Sequence, residues 1–174
     1  MSTLVQSPRL PLATSLTGSP LRWGRDLAIV GGMTGFAAPA GVYGLSLEPF
    51  TLTALTTGLV CGMLLGIEMP AFLESARRRV SLTGIAVRCV AVGAAVGAFI
   101  GFVAAQAAGE IFLAPFVLAG IAGALQLGWL WLPYTVLTVL ERPTWPVVLG
   151  ACVVAPLLGP VSLELSRLAV GFLF

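Results

Sequence analysis

Long apolar runs broken by short polar punctuation organise this chain. The breaks fall at Glu48-Pro49, at Glu74 with Arg77-Arg78-Arg79, at Glu110 and at Glu141-Arg142-Pro143. A helix crossing the hydrocarbon core of a bilayer needs about 20 apolar residues, and the runs between the breaks meet that length. The pattern predicts spans over 27–47, 50–73, 82–108 and 111–132, the fourth reaching toward 140. A fifth begins near Trp145 and is interrupted at Pro156 and Pro160. Its last part either continues the span or turns along the interface. The expected fold is therefore an all-α polytopic membrane helical bundle of about five transmembrane helices. The alternative is four helices plus a re-entrant or interfacial segment. Residues 26–174 read as one transmembrane domain, and residues 1–25 as a separate tail.

Within the apolar runs, small residues recur at every fourth position. Gly58, Gly62 and Gly66 form one ladder; Gly93, Gly97 and Gly101, continued by Ala105 and Gly109, form another. Residues four apart share one face of a helix, so each ladder cuts a smooth groove that admits another helix at backbone distance. The ladders predict tight glycine-mediated packing, either within the chain or against other chains. Gly31-Gly32 and Gly35 read the same way.

Composition removes many functions. Hydrophobic residues make up 58% of the chain and charged residues 9%, against about 25% charged in soluble domains. There is no His, so no imidazole serves a zinc site, a haem or a Ser-His pair. Cys61, Cys89 and Cys152 each lie inside an apolar run without metal-ligand spacing. Neither a nucleophile motif nor a phosphate-binding loop is present. No catalytic residue, metal or cofactor is expected, and structural lipids are the ligands such a surface invites. A net charge of +2 gives no reason to expect nucleic acid.

The few charges carry the remaining information. With alternating spans, Arg22, Arg25, Arg77–Arg79 and Arg142 lie at one side, and Glu48 and Glu110 at the other. The positive-inside rule then puts the N-terminus in the cytoplasm or matrix. Trp23, Trp129, Trp131 and Trp145 fall at the same ends, as an aromatic belt predicts. Glu68 lies about 13 Å of helix from Arg77, and Arg88 a similar distance into the third span. An intramembrane ion pair, Glu68–Arg88, is expected to tie the two ladder-bearing helices together. Gln106 and Gln126 are expected to bond neighbouring helices, and Glu164 can pair with Arg167 at i,i+3.

The stretch Thr53 to Arg79, with Gly58, Gly62 and Gly66 leading to the Arg run, resembles the mitochondrial inner-membrane import-translocase family. Arg88 to Gly109 has a similar cast. That family includes channel-like translocase subunits and an accessory subunit of respiratory complex I. The resemblance covers residues 27–130 at most, and the extra C-terminal span departs from the usual four. It implies an accessory subunit or translocase component in an inner membrane, mitochondrial or bacterial, with other membrane subunits and lipids as partners. The leader, rich in Ser and Arg and free of acidic residues, resembles a mitochondrial targeting segment. No functional residue is carried over from the family. The leading expectation is a non-catalytic accessory subunit of a membrane complex, respiratory or otherwise energy-transducing. A transporter or channel component is the alternative.

Overall fold

The computed structural model describes residues 19–77, 81–109 and 113–173. Five helices account for most of them: α1 (Pro20–Tyr43), α2 (Pro49–Arg77), α3 (Leu82–Ala107), α4 (Leu113–Val139) and α5 (Trp145–Leu173). No strand occurs among the described residues. Helices α2 to α5 are long and apolar enough to cross a membrane. The chain is thus an integral membrane protein built as an all-helical bundle.

Helix α1 departs from the expected span 27–47. It begins at Pro20, where a proline in the first turn leaves no needed N–H unmet, and it ends at Gly44 with φ +85°. Arg22, Arg25 and Asp26 therefore belong to the helix and not to a tail. Its apolar remainder, residues 27–43, gives roughly 25 Å of helix, short of the ~30 Å hydrocarbon core. The tail expected over 1–25 lies outside the described residues except for its last part. Helix α5 departs in the opposite sense, running unbroken through Pro156 and Pro160. Pro160 offers no N–H to the Pro156 carbonyl, and that carbonyl faces Gly41 of α1 so closely that a methyl there would collide.

Each helix packs against its neighbours in sequence, and α5 returns to α1, closing a ring. The most extensive seams are α1–α2 and α3–α4. At the first, a methyl on Gly31 or Gly58 would strike the other's carbonyl oxygen. Gly62 and Gly66 lie equally close to the Leu27 and Trp23 carbonyls, and Gly35 to that of Ala54. At the second, Gly93, Gly97 and Gly101 press on the carbonyls of Gly123, Ala119 and Pro115. The ladders thus pack inside the chain, each on its own partner: α2 onto α1, α3 onto α4. Gly109 does not extend the second ladder. It has φ +72°, and a methyl placed on it would meet nothing within 4 Å, so it ends α3 by adopting the left-handed conformation.

One end of the bundle is filled by a core of Trp23, Leu27, Met69, Ile85, Cys89, Leu130, Trp131 and Tyr134. Trp23 and Trp131 are buried there, so only Trp129 and Trp145 remain exposed enough to mark a membrane interface. Gly97→Val should destabilise the α3–α4 seam by about 1–3 kcal/mol, the usual cost of overpacking. Gly171→Ala, with nothing nearby, should leave stability almost unchanged. Thermal unfolding in detergent checks both; equal shifts would contradict this packing.

Candidate functional site

The head of α1 meets the turn between α4 and α5, and the chain's sole Asp sits at the junction. The turn is closed by Arg142 N–H donating to the Leu137 carbonyl (2.9 Å) and Glu141 N–H to that of Thr138 (3.1 Å). Glu141 takes φ +54°, where glycine is usual. That conformation costs a non-glycine residue about 1–2 kcal/mol. The turn presents the Arg142 carbonyl and the Thr144 hydroxyl to α1.

Asp26 is 3% exposed. Its Oδ2 accepts hydrogen bonds from the Tyr134 hydroxyl of α4 (2.7 Å) and the Thr144 hydroxyl (2.7 Å). Its Oδ1 accepts from Arg25 Nε (2.9 Å) and lies 2.8 Å from Arg25 Nη2. The Arg25 guanidinium reaches the carboxylate from the exposed side, so the buried charge is neutralised at the bundle surface. Arg22 completes the cluster, donating from Nη2 to the Thr144 hydroxyl (3.3 Å) and the Arg142 carbonyl (3.1 Å). Trp23 packs over Tyr134 with ring centroids 4.2 Å apart. A carboxylate filled in this way by donors from three segments acts as a clasp. It has no free lone pair directed at a substrate.

A second polar node lies deeper. Gln126 of α4 donates from Nε2 to the Thr34 hydroxyl of α1 and to the Ala151 carbonyl of α5, both at 3.0 Å. Its Oε1 accepts from Trp129 Nε1 at 3.0 Å. Gln126 thus bonds neighbouring helices as expected, whereas Gln106 is exposed and its side chain bonds none among the described residues. Beyond Gln126 an apolar cavity of about 130 Å³ follows the bundle axis.

The expected Glu68–Arg88 pair is not formed. Both residues are exposed, and neither joins an ion pair or hydrogen bond within the described residues. The reason lies in helical phase. Helix α2 buries Gly62, Gly66 and Met69, and α3 buries Ile85, Cys89 and Gly93. Each charge precedes a buried position by one residue, about 100° round its helix, and so points outward. Glu164 and Arg167 do pair, at 2.7 Å, on the exposed end of α5. Arg78, Arg79 and Glu110 lie outside the described residues.

Sequence reasoning misses Asp26 because a first span beginning at residue 27 excludes it. The available signal is a lone Asp beside an Arg at the head of an apolar run. Among the described residues, no cluster of His, Cys, Asp and Glu could hold a metal ion. Compared with family models, curated proteins and solved structures, the chain matches none.

Asp26→Ala should destabilise the chain by about 1.5–3 kcal/mol, the range for hydrogen bonds to a charged partner. Tyr134→Phe should cost about 1 kcal/mol or somewhat more, because Thr144 and Arg25 still hold the carboxylate. Unfolding measured in detergent gives both values. An Asp26→Ala protein as stable as the parent would show that the cluster holds nothing together.

Proposed function

We propose that this protein is a non-catalytic subunit of a larger membrane assembly. The observation that carries this reading is the pair of unmatched charges on its outer face, Glu68 on α2 and Arg88 on α3. A charge inside a membrane helix costs about 2.5–3.5 kcal/mol at mid-span on insertion scales, and such residues almost always find a partner or a polar cavity. The described residues supply neither, so a neighbouring subunit with counter-charges at the matching depth satisfies both. The exposed surface around them is apolar, including Val60, Met63 and Leu64 on α2 and Val87 and Val90 on α3.

Catalysis finds less support. The buried polar side chains best suited to chemistry, Asp26 and Gln126, are held by partners from their own chain. A transport route for a polar solute lacks support for the same reason. The small-residue resemblance to the import-translocase family favours an inner membrane, mitochondrial or bacterial. The arginines at the head of α1 and in the α4–α5 turn favour the matrix or cytoplasmic side for that end.

Extraction of native membranes in mild detergent, followed by a native gel and mass spectrometry, tests the reading. The chain should co-migrate in fixed ratio with other membrane proteins. Glu68→Arg and Arg88→Glu should each release it from that complex without lowering its own melting temperature. Migration alone, or only as a small homo-oligomer, would overturn the subunit reading and bring the transporter reading forward.

A further inference from the structure

The axial cavity is the least explained feature of the bundle. All five helices line it. On α1 its walls run from Leu27 to Tyr43, about 24 Å of helix, so a volume near 130 Å³ is drawn into a slender shape. One end is closed by Leu27, Leu130 and the packed core behind them. The other reaches Tyr43, which is 59% exposed, so the cavity communicates with the surroundings there.

The walls decide what can enter. They are aliphatic or backbone except at Thr34, Gln126 and Tyr43. The Gln126 amide hydrogens and the Thr34 hydroxyl hydrogen are already donated within the chain. Water entering such a space finds few partners, and apolar cavities of about 150 Å³ stay dry and take up apolar guests. A compact solute does not match a narrow space of this length, and a bilayer supplies flexible hydrocarbon chains at high concentration.

We propose that the axial cavity binds a single hydrocarbon chain, inserted from the Tyr43 end with its tip toward Gln126 and Leu130. This inference does not depend on the subunit reading, since the cavity lies inside the bundle and Glu68 and Arg88 lie outside it. The chain belongs either to the acyl tail of a phospholipid or to an isoprenoid, and the two share the chemistry of the walls.

The test uses the full-length protein in phosphatidylcholine vesicles carrying a diazirine near the end of one acyl chain. A parallel set carries a diazirine-labelled isoprenoid alcohol. After illumination, peptide mapping should find saturable labelling at inward residues near the closed end, such as Val30, Leu127 and Leu130. Ala122→Phe, which fills the cavity from α4, should reduce that labelling at least tenfold while leaving labelling of the outward Phe99 and Phe102 unchanged. The probe that labels the interior identifies the source of the chain. Labelling by both probes confined to outward residues would overturn the proposal, and this readout on the parent protein holds even where Ala122→Phe fails to fold. Interior labelling unaffected in a folded Ala122→Phe protein would overturn it as well.

Discussion

Contact between helices at backbone distance is the constraint on which the rest of the structure depends. Lipid tails are as apolar as leucine, so no hydrophobic force gathers these helices, and close packing must do so. At the α1–α2 and α3–α4 seams, glycine lets one helix rest directly on the carbonyl oxygens of the next. Those contacts fix the helices in pairs. They also explain the axial cavity. Small residues draw each pair together, but they leave little side-chain volume to fill the space between the pairs, where Gly31, Gly58, Gly97 and Gly123 all face the void. Tight seams and a slender axial space follow from one choice of residue.

Glycine also seats α5 on α1, with Gly159 against the Ala38 carbonyl and Gly41 against that of Pro156, and the polar nodes add definition to these contacts. Asp26 joins α1 to α4 and to the residue preceding α5. Gln126 joins α4 to α1 and α5 about two turns further along. Interhelical hydrogen bonds in membranes are worth about 0.6–2 kcal/mol each. Their main effect is on register, because a one-residue slip of α1, α4 or α5 would leave a buried carboxylate or amide without partners.

Much of this was legible in the sequence, for reasons that can be named. The four apolar helices followed from run length, and the glycine ladders from a repeat of four. The choice of partner for each ladder did not follow, because a groove on one helix does not say which neighbour fills it. The Glu68–Arg88 pairing failed for a related reason. Counting residues from the loop gives depth, but facing depends on which stripe of each helix turns inward, and the Gly62–Gly66–Met69 and Ile85–Cys89–Gly93 stripes turn both charges out. Pro156 and Pro160 suggested an interruption of the last span, yet a proline removes hydrogen bonds without ending the helix, and Gly41 packs against the freed Pro156 carbonyl. The Asp26 clasp was hidden because its partners, Tyr134 and Thr144, are more than 100 residues away in the chain.

The central claim is that each ladder is used within a single chain. Paired cysteines in native membranes test it most directly, after Cys61, Cys89 and Cys152 are replaced by Ala. A side chain at Gly32 would lie 3.5 Å from the Leu59 Cβ, and one at Gly120 would lie 3.5 Å from the Ala98 Cβ. Both spacings match the Cβ separation of a disulfide, about 3.5–4.5 Å. Under mild oxidation, Gly32→Cys with Leu59→Cys, and Gly120→Cys with Ala98→Cys, should each form a bond within one chain. The product should run as a monomer on a denaturing gel. Failure of both pairs to react, or reaction only as cross-linked dimers, would contradict this architecture.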